Sequence, residues 1–133
     1  MATLGLDHYN LRAPSPLLEQ LRDFYVATLG LREGPRPRFR THGYWLYAGE
    51  RAILHLSGTR AGETRVVDVA STIDHVAFRC DDDAAMRATL DAAGISYAVE
   101  DAPERAQRQI FLRDPAGNGI ELNFSVARTE PEP

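Results

Sequence analysis

Three histidines and a glutamate lie at matching places in two copies of one short pattern. Segments 6–12 (LDHYNLR) and 73–79 (IDHVAFR) both run aliphatic residue, Asp, His, two variable residues, a large apolar residue and Arg, with an offset of 67 residues. Segments 53–56 (ILHL) and 119–122 (GIEL) each place a lone polar residue in an apolar run, with the two polar residues 66 positions apart. Repeats of this length indicate a duplicated module. The equivalent positions provide four candidate metal ligands: His8, His55, His75 and Glu121.

Three imidazoles and one carboxylate suit a borderline divalent ion, and we expect one Zn, Ni, Co, Mn or Fe(II) per site. If four such ligands closed a tetrahedral zinc site, the metal would be structural. In an octahedral site the same ligands would leave two positions for water or substrate oxygens. The ion could then polarise a carbonyl or phosphoryl group as a Lewis acid.

The alternation of side chains along a strand tests whether these polar residues can share a face. His55, His75 and Glu121 each lie opposite an apolar set, as expected for strands with one face packed under a helix. The first strand is less regular, because Asp7 shares its face with Tyr9 and Leu11. By the same alternation Asp7 and Asp74 point away from the neighbouring histidines, so we do not expect them to be ligands.

A packed or solvated role is the alternative for each candidate, since a single histidine on a strand is more often packed or exposed than bound to metal. The recurrence of His8 and His75 in one heptapeptide favours ligation, as does the cost of burying Glu121 without a partner. His55 lacks such support and is open to either role. His42 lies in a predicted loop and is expected to be solvated.

Each module is predicted to run strand, helix, strand, strand, strand. In the first module we expect strands at 4–12, 36–40, 43–48 and 52–57 and a helix at 16–29 ended by Gly30. In the second we expect strands at 72–80, 96–100, 107–113 and 118–125, and a helix that begins at the acidic run 81–83, continues to about 93 and is ended by Gly94. The sequence thus predicts one α+β domain, 1–133, made of modules 4–57 and 72–125 joined by a polar connector at 58–71. The tail 128–133 is expected to be frayed.

The composition of the chain bounds its class. Its 133 residues, 44% of them hydrophobic, suffice for one domain with a continuous core. The formal charge of -4 gives no reason to expect nucleic-acid binding. Cys80 is the only cysteine, which fits a reducing compartment, and no apolar run approaches the roughly 20 residues of a membrane helix. We therefore expect a cytoplasmic protein.

Arginines and aromatic residues give the clues to a substrate. Arg36, Arg38 and Arg40 alternate and could meet a carboxylate or phosphate, although a charge-protected strand edge is the commoner reason for such a pattern. Arg12 and Arg79, each four residues after a repeated histidine, are expected to pair with nearby acids. The aromatic residues near position 45 could wall a cavity or belong to the core: Tyr44, Trp45 and Tyr47.

Residues 4–125 resemble the vicinal oxygen chelate superfamily, which includes glyoxalases, extradiol dioxygenases and bleomycin-resistance proteins. The most specific similarities are segments 73–78 (IDHVAF) and 111–122 (FLRDPAGNGIEL), and Phe24-Tyr25 followed by Leu29-Gly30-Leu31 is similar to the first helix of that family and its exit. The resemblance implies two βαβββ modules that form a curved, U-shaped sheet with the helices outside, commonly in a homodimer.

The metal positions of the family map onto the same four residues, His8, His55, His75 and Glu121, from one chain or from two. The resemblance implies that Glu121 can act as both ligand and proton carrier. At the position of His55 many isomerases of the family have Glu or Gln, so this chain has one carboxylate fewer to act as a base.

Three functions are consistent with this resemblance, because fold alone does not decide function. The first is a metal-dependent lyase, isomerase or transferase whose small substrate chelates the ion through adjacent oxygens. The second is an Fe(II) extradiol ring-cleaving dioxygenase, in which His55 would be a spectator. The third is a non-catalytic protein that binds a drug or metabolite, as bleomycin-resistance proteins do.

Overall fold

A computed structural model describes residues 1–126, so the predicted fraying of the tail at 128–133 lies outside the described residues. The chain divides into two compact units, Met1–Val67 and Asp68–Pro133. Each unit contains one of the two predicted modules. No helix among residues 1–126 has the length and apolar character required to cross a bilayer.

The first unit is a four-stranded mixed sheet with one helical segment. Its strands are β1 (Tyr9–Ala13), β2 (Arg32–Gly34), β3 (Gly43–Ala48) and β4 (Arg51–Gly58). They lie in the order β1-β4-β3-β2, with β1 parallel to β4 and the other pairs antiparallel. Helix α1 (Leu17–Asp23) continues as a π-helical turn, Phe24–Thr28, and Gly30 adopts a φ of 82° just beyond it.

The second unit repeats this topology. Its strands are β5 (Val76–Cys80), β6 (Ala98–Ala102), β7 (Gln107–Arg113) and β8 (Gly119–Ser125), in the order β5-β8-β7-β6. Helix α2 (Asp83–Ala92) follows β5, and a short 3-10 turn, Pro103–Arg105, precedes β7. Both modules thus have the predicted element order, which confirms the α+β class with two tandem βαβββ modules.

Each unit buries its apolar residues on one face of its sheet. In the first unit these residues are Leu18, Leu21, Phe24, Tyr25, Leu46, Leu54 and Leu56. In the second they are Leu90, Ile110, Leu112, Ile120, Leu122 and Phe124. Because side chains alternate along β4 and β8, the buried leucines and isoleucine leave His55 and Glu121 on the other face. The alternation argument for these two residues is therefore confirmed.

The starts of two predicted strands and the place of a third are wrong. The first strand of each module starts after its histidine, at Tyr9 and Val76, rather than at 4 and 72. The predicted strand at 36–40 is absent, and the short strand β2 lies at Arg32–Gly34 instead. Pro35 and Pro37 have no backbone N–H to donate to a ladder, so pairing stops before them.

Candidate metal centre

An aspartate–histidine pair stands immediately before the first strand of each module. His8 Nδ1 lies 2.7 Å from Asp7 Oδ1, and His75 Nδ1 lies 2.8 Å from Asp74 Oδ2. A carboxylate can only accept, so Nδ1 carries the hydrogen and the lone pair is left on Nε2. This is the usual arrangement of a metal-binding histidine, whose second nitrogen is held by a carboxylate or carbonyl.

These contacts correct one inference from alternation. Asp7 and Asp74 were expected to point away from the histidines, yet both bond to them, because residues 7, 8, 74 and 75 precede the strands and are not bound by strand geometry. The hydrogen bond that His75 donates to Asp74, supported by the charge of Glu121, raises the pKa of His75. The hydrogen bond from His8 lowers the pKa of Asp7.

Glu121 is held next to His75 by amide side chains. Its Oε1 lies 3.8 Å from His75 Nε2, and its side chain is 11% exposed. Gln109 Nε2 donates to Oε1 at 3.3 Å and Asn123 Nδ2 donates to Oε2 at 2.9 Å. The 3.8 Å separation is slightly wider than the roughly 3.0–3.4 Å between two donors at ordinary bond lengths from one zinc-sized ion. The chemistry and spacing of this pair fit a divalent metal.

His55 lies in an aromatic stack on the sheet face of the first unit. Its ring centroid is 4.0 Å from Trp45 at an interplanar angle of 10°, and 3.7 Å from His8 at 17°. Burial, and then the neighbouring His8, lowers the pKa of His55. An imidazole lone pair lies in the ring plane, so two stacked, nearly parallel rings cannot both point at one ion. In this arrangement His8 or His55, but not both, can ligate the same metal.

Each unit has a cavity that its candidate histidines help to line. The cavity of the first unit has a volume of about 460 Å³ and is lined by Asp7, His8, Phe39, Trp45, Arg51, Ala52 and His55. The cavity of the second unit has a volume of about 230 Å³, and His75, Phe111 and Arg113 contribute to its lining.

Tyr44 and Tyr47 do not line the first cavity: the Tyr44 ring packs under Arg22, and the Tyr47 hydroxyl donates to the Pro35 carbonyl. Of the three aromatic residues considered from sequence, Trp45 alone is a wall residue there.

The structure thus brings the four candidate ligands together as two pairs, His8 with His55 and His75 with Glu121. Among residues 1–126 there is no group of three or more His, Cys, Asp or Glu arranged to hold a metal. The set of four stays a prediction. His42, predicted to be solvated, has a side chain that is 63% exposed.

Four residues at these pairs had no place in the predicted site: Asp7, Asp74, Gln109 and Asn123. Asn123 could have been found, because it is two residues after Glu121 and therefore shares its face of β8. Gln109 could not, because its place depends on the register between β7 and β8, in which it lies opposite Asn123.

Comparison with known proteins gives a family match over most of the chain. A family model described as the Glyoxalase/Bleomycin resistance protein/Dioxygenase superfamily matches residues 5–122. No curated protein matches the chain.

Solved structures share the fold. A glyoxalase family protein from Bacillus anthracis is 25% identical, with a TM-score of 0.72 and coverage of 94% of this chain and 98% of that one. A lactoylglutathione lyase from Agrobacterium tumefaciens is 21% identical, with a TM-score of 0.65 and coverage of 93% and 96%. The fosfomycin resistance protein FosX from Listeria monocytogenes, in a complex with Mn(II), is 14% identical, with a TM-score of 0.68 and coverage of 94% and 95%. The last two are too distant in sequence to indicate more than the fold.

Proposed function

Because the chain belongs to the glyoxalase/bleomycin resistance protein/dioxygenase superfamily, we propose that it is a metal-dependent, glyoxalase-like enzyme of the lyase, isomerase or transferase type. Its substrate would be a small molecule that chelates a divalent ion through adjacent oxygens. The observation that carries this proposal is the repeated Asp–His pair, which leaves Nε2 available on both His8 and His75, with Glu121 beside the second.

The proposed ligands are His8, His75 and Glu121, with His55 as a fourth if its ring turns out of the stack. They would come from both modules, within one chain or between two copies in a homodimer. The bound ion would supply Lewis-acid polarisation of a substrate oxygen. Glu121 is the proposed proton carrier, and the Gln109 and Asn123 amides hold its two oxygens in a fixed orientation.

One observation favours a second function, Fe(II)-dependent ring cleavage. His55 is stacked between Trp45 and His8, an arrangement that leaves His8, His75 and Glu121 as three donors. Two histidines and one carboxylate with open positions are the ligand set of non-haem Fe(II) oxygenases. His55 would then shape the cavity wall and bind no metal.

To test whether the protein binds a metal, the purified protein is loaded with Mn(II), Zn(II) or Fe(II), and the bound metal is measured by elemental analysis. We expect His75→Ala and Glu121→Gln to lose stoichiometric metal while keeping the circular-dichroism spectrum of the wild type. His42→Ala and Glu104→Gln are the matched controls, because both residues lie outside the candidate pairs, and they should keep the metal.

Unchanged metal content in His75→Ala and Glu121→Gln would contradict the proposal. If the wild type also fails to bind metal yet binds small molecules, the protein is a drug- or metabolite-binding member of its family. His55→Ala separates the two enzymatic functions. Oxygen uptake with catechols that survives this substitution indicates ring cleavage, whereas loss of metal indicates a four-ligand site.

A further inference from the structure

Two arginines of the first unit lie on the same sheet face as His55. In the sheet register Arg12 of β1 lies opposite Ser57 of β4, and Ser57 lies opposite Gly43 of β3. Ser57 is two residues beyond His55, so its side chain is on the same face, roughly 7 Å further along the strand. This row of residues borders the histidine stack.

Arg36 reaches this row from the loop between β2 and β3. A Cβ at Gly43 would collide with the Leu56 carbonyl oxygen and would lie 2.9 Å from Arg36 Nη2, so the guanidinium packs against the glycine. The guanidinium also donates to the Thr41 carbonyl at 3.0 Å and lies 4.7 Å from the centre of the Phe39 ring. A side chain at position 43 would therefore disturb both the Leu56 carbonyl and the Arg36 guanidinium.

Both guanidinium groups bond to backbone carbonyls beside this row of residues, and among residues 1–126 neither has an acidic partner. Arg12 donates to the Gly58 carbonyl and Arg36 to that of Thr41, and within residues 1–126 neither arginine forms an ion pair. Burial, and then the charge of Arg12, lowers the pKa of Arg36. Arginine nevertheless stays protonated in proteins, so this face has two adjacent positive charges with N–H donors to spare.

Ser57 adds a neutral donor between the two charges. Asn10 Nδ2 donates to Ser57 Oγ at 2.8 Å, which leaves the serine hydroxyl hydrogen available for another acceptor. Ser57 is one of the few buried polar residues, with 6% exposure. Two guanidinium groups and a hydroxyl form a donor set suited to the oxygens of an anion.

We propose that Arg12, Arg36 and Ser57 form a binding site for an anionic group, a carboxylate or a phosphate, of the small molecule that this protein binds. The inference deepens the proposed function, and it rests on that function only in assigning the anion to the substrate. It also gives Arg12 a role without an acidic partner, although the sequence predicted that Arg12 would pair with an acid. It likewise gives a reason why Arg36 packs differently from Arg38 and Arg40, with which it alternates in the sequence. Arg38 and Arg40 stay exposed.

The test uses full-length protein treated with EDTA, so that any anion binding is independent of metal. Inorganic phosphate and, in a separate arm, acetate are titrated by calorimetry at constant ionic strength. The wild type should bind at least one of the two anions. The anion that binds more tightly shows whether the site prefers a phosphate or a carboxylate. Arg12→Gln and Arg36→Gln should each weaken binding by about tenfold or more, because each removes charge-assisted hydrogen bonds.

Arg38→Gln is the matched control, because it removes the same charge from an exposed position in the same loop, and it should bind as the wild type does. If Arg36→Gln fails to fold, Arg36→Lys keeps the charge but loses the paired donors and should also bind more weakly. The proposal is overturned if neither anion binds, or if Arg38→Gln weakens binding as much as Arg12→Gln does. If the wild type binds metal but neither anion, this inference alone is removed. If the wild type binds an anion but no metal, the metal-dependent function alone is removed.

Discussion

The environment of His75 determines how a metal could bind to it. Asp74 accepts the hydrogen on Nδ1, and Glu121 Oε1 lies 3.8 Å from Nε2. Both acids favour the protonated ring, so the pKa of His75 is raised from its ordinary value near 6.5. Because a histidine must be neutral to bind metal, protons and metal compete at Nε2.

We therefore predict that His75 in the metal-free protein titrates above the ordinary histidine value and that Asp74→Asn lowers its midpoint. Metal affinity in the wild type should fall as the pH decreases through the raised pKa. The midpoint can be measured from the imidazole resonances in an NMR titration of metal-free protein. Asp7→Asn is the control, because Asp7 bonds to His8 and its loss should leave the His75 midpoint where it is. An unshifted midpoint in Asp74→Asn would show that the hydrogen bond does not persist in solution.

At the scale of elements, helix α2 depends on one of three consecutive acids. The sequence 81–83 is all aspartate, and it predicted a helix start without showing which residue caps it. In the structure Asp82 adopts a φ of 57° and its Oδ1 accepts from the Ala85 N–H at 3.1 Å. Aspartate and asparagine tolerate this left-handed backbone better than alanine does.

We predict that Asp82→Ala destabilises the protein by about 1 kcal/mol or more, through loss of the cap and through strain at the positive φ. Asp82→Asn should keep most of the stability, because asparagine caps equally well and accepts the same backbone conformation. The free energies can be compared by urea unfolding followed by circular dichroism. Asp81→Ala changes the same charge without removing the cap, and a loss equal to that of Asp82→Ala would show that charge rather than capping is responsible.

On the scale of the whole molecule, duplication produced two units with the same topology and different polar faces. The first combines His8 and His55 with Trp45, and the second combines His75 with Glu121. Neither pair alone provides the three donors typical of a catalytic metal site. The modules are thus similar as folds and differ in the polar residues that they place at their candidate pairs.

If the two pairs serve one ion, the protein should bind one metal per chain, and His8→Ala should lower its affinity as His75→Ala does. Titration with Mn(II), followed by electron paramagnetic resonance of the free ion, gives both the stoichiometry and the affinity. Two independent sites would instead bind two ions, and His8→Ala would remove one of them and leave the other intact. That result would refute the shared site.

The duplication, the element order and the turns could be read from the chain, because alternation, helical spacing and turn residues depend on neighbours within a few positions. Segment 114–117 (DPAG), for example, has proline second and glycine fourth, as in a type I turn, and its Gly117 N–H donates to the Asp114 carbonyl. The missing strand at 36–40 shows the limit of the alternation pattern, because Pro35 and Pro37 cannot donate to a strand ladder and Arg36 packs instead against Gly43, seven residues further on.

The orientation of the His55 ring, the hydrogen-bond partners of Glu121 and the lack of acids beside two arginines could be read only from the folded chain. The stacking of His55 depends on Trp45 across a strand pair, and the amides on Glu121 depend on the β7–β8 register. Arg12 and Arg36, neither of which forms an ion pair within residues 1–126, reach the same row of the sheet from β1 and from the loop after β2. These features arise between residues far apart in sequence, where residue type and spacing carry no information about distance or angle.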